Sequence, residues 1–117
     1  MEKEIIVYHN PRCSKSREVI AILEESGKTF SIKEYLKDTP GIKELKNLIT
    51  LLAISPIELV RKGEDEYKTL IKDKNLTSDE ILSVLSENPK LIERPIVITN
   101  NKAVIGRPPS LIIDFIK

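Results

Sequence analysis

Hydrophobic and polar positions change period several times along the chain, and each change marks an element. Glu4 to Tyr8 reads as a short β-branched strand that runs into the turn-forming cluster His9-Asn10-Pro11. Beyond it Val19, Ile20 and Leu23 fall on one face at helical spacing, Ala21 and Ile22 widen that face, and Gly27 supplies a stop. Thr29 to Tyr35 alternates as a second strand, with Phe30, Ile32 and Glu34 on one side. Strand, helix and strand in that order predict a parallel crossover, since adjacent parallel strands cannot be joined by a tight turn.

Asp38-Thr39-Pro40 then offers a cap and a proline suited to a first helical position, and Ile42, Leu45, Ile49 and Leu52 carry a helix-period stripe. Ser55 and Glu58 have capping-box spacing over a very short helix that ends near Arg61-Lys62-Gly63. Glu64 to Lys72 and Asp79 to Glu87 read as two further amphipathic helices, the second capped by Thr77 with Glu80 three positions on, and Asn88-Pro89 ends the helical stretch. Pro95 to Thr99 and Lys102 to Ile105 are strand-like. Asn100-Asn101 between them tolerate the positive φ of a tight hairpin, so these strands pair antiparallel. After Pro108-Pro109 a last helix places Leu111, Ile112 and Phe115 on one face. The fold class is therefore α/β: a mixed sheet with helices packed on it, in the order β-α-β, helical insert, β-β-α. A chain of 117 residues fits one domain, 1–117, with the insert at about 40–92.

Nineteen basic residues against 18 acidic ones leave no bulk-charge footprint for nucleic acid or for an acidic partner. Apolar runs such as Leu111 to Ile113 are far shorter than a bilayer crossing, and Met1-Glu2-Lys3-Glu4 leads straight into a strand-like segment where a signal peptide would be apolar. These features predict a cytoplasmic protein without membrane contact, and nothing in them calls for more than a monomer. Asn75-Leu76-Thr77 matches a glycosylation sequon, which in that compartment reads as helix capping. With one cysteine an internal disulfide is excluded, so a redox cycle through a disulfide must take its second sulfur from another molecule.

That cysteine, Cys13, falls where the first turn meets the first helix. Unpaired N–H groups and partial positive charge at a helix N-terminus stabilise a thiolate and seat an oxyanion. No acidic residue lies between Glu4 and Glu18, while Arg12, Lys15 and Arg17 surround the cysteine. A buried, inert thiol is the plain alternative, and loop position with neighbouring cations argues for the reactive one. Only five arginines stand against 14 lysines, and they are placed selectively: Arg12 and Arg17 flank Cys13, Arg61 ends the short helix, and Arg94 and Arg107 each precede a proline at a strand edge. An arginine fork can hold two oxygens of a tetrahedral anion, which a lysine cannot; the alternative for each is a surface ion pair.

Two thiol chemistries fail on spacing. Cysteine phosphatases need an arginine six positions after the cysteine, where this chain has Val19, and a dithiol cycle needs a second cysteine where it has Ser16. Ser16 either hydrogen-bonds the thiolate or the anion, or fills the first helical turn. His9 is read as a structural hydrogen-bonding residue over a proton-transfer group. One histidine and one cysteine supply no metal site.

The stretches Y-H-N-P-R-C-S-K-S-R at Tyr8 to Arg17, L-V-R-K at Leu59 to Lys62, E-R-P-I-V-I at Glu93 to Ile98 and G-R-P-P at Gly106 to Pro109 together resemble the glutaredoxin-coupled arsenate reductase family, across essentially the whole chain. The similarity is greatest to short members whose tail reads I-G-R-P-P. It implies a thioredoxin-like fold with a four-stranded mixed sheet and a helical insert, Cys13 as nucleophile, and Arg61, Arg94 and Arg107 as oxyanion ligands, with His9, Ser16, Arg17 and Pro95 in support. The proline opening the third strand of such folds is often cis, which predicts a cis Arg94–Pro95 bond. The resemblance further implies arsenate or a related oxyanion as substrate, no bound cofactor, glutathione as co-substrate and glutaredoxin as partner. Two other functions are open to this fold: a thiol transferase acting on glutathione mixed disulfides, and a non-catalytic interaction module of the kind that binds RNA polymerase, whose C-x-x-C switch is absent here.

Overall fold

Three residues, Ile6–Tyr8, form β1, an inner strand of the sheet. It pairs in parallel with β2 (Ser31–Lys33) on one side and antiparallel with β3 (Ile96–Thr99) on the other; β4 (Lys102–Ile105) pairs antiparallel with β3. The resulting order is β2-β1-β3-β4, the mixed four-stranded sheet of a thioredoxin-like fold. The structure is a computed structural model describing residues 4–116, so the polar lead Met1-Glu2-Lys3 and the last residue of the expected domain, Lys117, lie outside the described residues.

The parallel crossover is α1 (Ser14–Ser26), closed by Gly27 at a φ of 73° whose N–H is donated to the Glu24 carbonyl. Paired residues of adjacent strands share a face of the sheet, so Val7 and Val97 point the same way. They meet Val19 and Leu23, one helical turn apart on α1, and Ile112 of α5 (Leu111–Phe115), with Ile5 and Ile116 at the margins. Each such side chain contributes roughly 1.5–3 kcal/mol by leaving water. Asn100 and Asn101 have φ of 58° and 59°, the two positive values that a two-residue type I′ turn requires, and they join β3 to β4 as the sequence predicts.

The chain divides into two compact units. One comprises the residues up to Asp38 and from Arg94 onward, and holds the sheet, α1 and α5; the other is Thr39–Glu93. The second unit contains α2 (Ile42–Leu52), a 3-10 turn at Pro56–Leu59, α3 (Asp65–Leu70), α4 (Ser78–Glu87) and a 3-10 turn at Pro89–Leu91. Leu45, Leu48, Leu59, Leu82, Leu85 and Leu91 are its buried leucines. Thr77 and Glu80 form the expected capping box, with the Glu80 N–H donated to Thr77 Oγ1 (3.2 Å) and the Thr77 N–H to Glu80 Oε1 (2.9 Å). The Ser55 N–H is likewise donated to Glu58 Oε2, at 2.7 Å.

Four expectations shift. β2 is shorter than Thr29 to Tyr35, and Ile32 is 49% exposed because an edge strand has a neighbour on one side only. The N-cap of α2 is Gly41, because the backbone at Lys37 and Asp38 donates to the Glu34 carbonyl in a separate turn upstream of Pro40. α3 is confined to Asp65–Leu70 and buries no residue. On α5 the buried position is Ile112, joined by the capping residue Ile116 four positions on, which turns Leu111 outward to 46% exposure.

The hairpin turn yields a direct test of this reading. A β-branched side chain in the left-handed region costs about 1–2 kcal/mol, so Asn101→Val should lower stability in urea by that amount. Asn101→Gly, which removes the conflict, should unfold at or above the wild-type midpoint.

Candidate active site

Where β1 ends, the backbone is locked residue by residue. The His9 N–H extends the pairing with β2 by donating to the Lys33 carbonyl at 2.9 Å, and the Asn10 carbonyl then accepts the Cys13 N–H at 2.9 Å, closing a turn over Pro11 and Arg12. Asn10 Oδ1 accepts the Arg12 N–H at 3.0 Å, an Asx turn inside the backbone turn. Ser16 Oγ accepts the Asn10 N–H at 3.1 Å and lies 2.6 Å from His9 Nδ1, with all three residues buried. Arg17 braces the outside, donating from Nη1 to the Pro11 carbonyl at 3.2 Å.

These bonds set Cys13 as the N-cap of α1, in an extended conformation (φ −92°, ψ 122°) with its side chain outside the helix. Its carbonyl accepts the first helical bond, from the Arg17 N–H, at 3.0 Å. The N–H groups of Lys15 and Ser16 have no carbonyl to reach at a helix start, and their pull on the sulfur favours its charged form.

Strand direction brings the distant arginines here. β1 runs antiparallel to β3 with Tyr8 opposite Ile96, and Ile96 is opposite Ile105, so the end of β1, the start of β3 and the end of β4 lie at one edge of the sheet. Arg94 precedes β3 across a cis bond to Pro95, as expected; Arg107–Pro108 is cis as well. Arg94 is only 8% exposed and its guanidinium donates to Cys13. Arg107 donates from Nε to the Arg94 carbonyl at 2.7 Å and from Nη2 to Cys13 Sγ at 3.7 Å. One guanidinium is thus tied to the backbone of the residue that supplies the other.

Burial pushes the Cys13 thiol up, but the Ser16 N–H, the Arg94 side chain and the Lys15 N–H donate to the sulfur, and together with the Arg94 charge they bring it below the ordinary thiol value. Burial also lowers His9, with Glu34 pulling it upward and Arg17 pushing it down, which favours the neutral imidazole. A partly exposed sulfur, its charged form favoured by N–H and guanidinium groups, can attack an electrophilic centre while those groups hold the oxygens around it.

Of the residues singled out in the sequence, Cys13, Arg94 and Arg107 meet, and His9 and Ser16 lock the turn beneath them. Ser16 touches the sulfur through its backbone, while its hydroxyl faces His9 and Asn10. Among side chains, Arg94 lowers the thiol most. Of the cations next to Cys13 in sequence, Arg12 is exposed and Lys15 pairs with Glu18 at 3.9 Å. Arg61 belongs to the second unit, where its Nε pairs with Glu64 at 3.3 Å. Asn10 was read only as a turn former; an asparagine two residues before the amide that it accepts is the signal that marks its larger part. Among the described residues no group of three His, Cys, Asp or Glu side chains could hold a metal ion, and no helix is long and apolar enough to cross a membrane.

Residues 8–115 match the model of the ArsC family. The chain is 42% identical over 118 aligned positions to the uncharacterized protein YfgD of Escherichia coli (strain K12), covering 99% of each. It is 41% identical to the arsenate reductase of Neisseria meningitidis serogroup A, covering 90% of this chain and 92% of that protein. The structure of an arsenate reductase from Vibrio cholerae superposes with a TM-score of 0.92 at 40% identity, over 97% of this chain and 98% of that one.

The donors around the sulfur make its reactivity a readout of the site. Iodoacetamide alkylation of Cys13 should rise to half its maximal rate at a lower pH than a free cysteine in the same buffer, because a depressed pKa exposes thiolate earlier. Arg94→Ala should move that midpoint upward by roughly one pH unit, the scale of a lost charge-assisted hydrogen bond. A wild-type midpoint equal to that of free cysteine would contradict the arrangement.

Proposed function

This chain belongs to the ArsC family, and from that premise we propose that it reduces arsenate to arsenite through a covalent adduct on Cys13, drawing electrons from glutathione and glutaredoxin. The observation that carries the reading is the pairing of Arg107 Nη2 with Cys13 Sγ at 3.7 Å while Arg107 Nε stays tied to the Arg94 carbonyl. A thiolate and two anion-binding forks converge, which is what attack on a tetrahedral oxyanion needs.

Arsenate is held by Arg94 and Arg107. The Cys13 thiolate attacks arsenic, an S–As bond forms, and one arsenic hydroxyl takes a proton and leaves as water, with no change in oxidation state. A glutathione thiol then attacks the Cys13 sulfur. The S–S bond forms as the S–As bond breaks, its electron pair passes to arsenic, and As(V) leaves as As(III) while two thiols become a disulfide. With a single cysteine in the chain the disulfide cannot be resolved internally, so a glutaredoxin thiolate attacks the glutathione sulfur and frees Cys13. The arginines act electrostatically as charge moves among the arsenic oxygens.

Purified protein with arsenate, glutathione, glutaredoxin and glutathione reductase should consume NADPH in an arsenate-dependent way. Cys13→Ser should abolish the signal, and Arg94→Ala should cut kcat/KM for arsenate by roughly 100-fold, the scale of losing one fixed donor to developing charge. An arsenate-independent rate on a glutathione mixed disulfide, which Arg94→Ala lowers by no more than the loss of Cys13 thiolate accounts for, would instead identify a thiol transferase.

A further inference from the structure

Gly106 sits between β4 and Arg107 without needing a glycine backbone, since its φ lies outside the left-handed region. What it lacks is a side chain in a place with no room for one. A Cβ there would lie 2.9 Å from Val19 Cγ2, 3.1 Å from Pro95 Cγ and 3.4 Å from Ile112 Cδ1. None of these neighbours can swing aside easily: Val19 and Ile112 are fully buried, and the Pro95 ring is fixed in the backbone. The Gly106 N–H is donated to the Pro95 carbonyl at 2.8 Å, which carries the pairing of β3 and β4 one step past Ile105 and delivers Arg107 to the Arg94 carbonyl.

We propose that Gly106 is a positioning residue of the active site: its missing side chain lets the end of β4 close on Val19 and Pro95, and that closure holds the Arg107 and Arg94 guanidinium groups against Cys13. The assignment of these arginines to oxyanion chemistry rests on the function proposed above, but the positioning itself is read from the thiol. A Cβ at this position pushes β4 away from α1 and from the Arg94–Pro95 segment. Arg107 then loses its hold on the Arg94 carbonyl, and both forks drift from the sulfur.

The test is the pH midpoint of Cys13 alkylation, which requires no arsenate and so separates failure of this proposal from failure of the proposed activity. Gly106→Ala should raise the midpoint by about half a pH unit or more, approaching the effect of losing an arginine contact. Val19→Ala should lower thermal stability and leave the midpoint where it is. Adding Gly106→Ala to Val19→Ala should raise the midpoint by less than in the wild-type background, because the closest contact is gone and only the Pro95 ring remains tight. If Gly106→Ala alone does not fold, the comparison within the Val19→Ala background decides. No rise in the background that folds, an equal rise in both backgrounds, or a rise from Val19→Ala alone as large as that from Gly106→Ala would each overturn the proposal.

Discussion

A sulfur drawn partly out of water should keep its proton, because a low-dielectric surrounding penalises the charged form. At Cys13 that tendency is present and is overcome by donors that cost little to aim. Two are backbone N–H groups of Lys15 and Ser16 that a helix start leaves without carbonyl partners, and another is the guanidinium of Arg94. The rest of the first unit follows from keeping these groups still. The buried contacts of Ser16 with His9 and Asn10 fix where α1 begins, and the strand register fixes where the arginines arrive.

Antiparallel pairing is what makes a site from residues so far apart in the chain. Reversing β3 against β1 brings the start of one beside the end of the other, and reversing β4 against β3 returns the chain to the same edge. Arg94 and Cys13 therefore meet without a long loop, and the short turn at Asn100-Asn101 keeps the return in register. The core of Val7, Val97, Val19, Leu23 and Ile112 lies directly under this edge, so packing and chemistry share neighbours.

Much of this was legible in the sequence because period and punctuation are local signals. The Asn100-Asn101 turn, the Gly27 stop and the Thr77 and Glu80 cap each declare themselves within a few residues, and each is found where expected. The site was legible in part: Cys13 at a turn-to-helix junction follows from local reading, and the grouping with Arg94 and Arg107 came from family resemblance. What escaped depended on distance. The cations beside Cys13 in sequence suggested the source of its activation, whereas Arg94 exerts the larger pull through strand pairing that no local pattern reports. Period groups Ile32 with Phe30 and Leu111 with Ile112 and Phe115 on shared faces, but it does not say how far a neighbouring element extends over each face, and Ile32 and Leu111 are left exposed.

The tether from Arg107 to the Arg94 carbonyl carries a consequence for what the position can accept. A guanidinium spreads its N–H groups around a rigid plane, so one of them can grip a carbonyl while another faces a sulfur on a different side. An ammonium gathers its three hydrogens on one nitrogen and could serve both partners only if both lay within reach of that single atom. At this place in the fold, shape matters as much as sign, and a substitution that preserves the net charge would still discard the link that makes two separate side chains behave as one clamp.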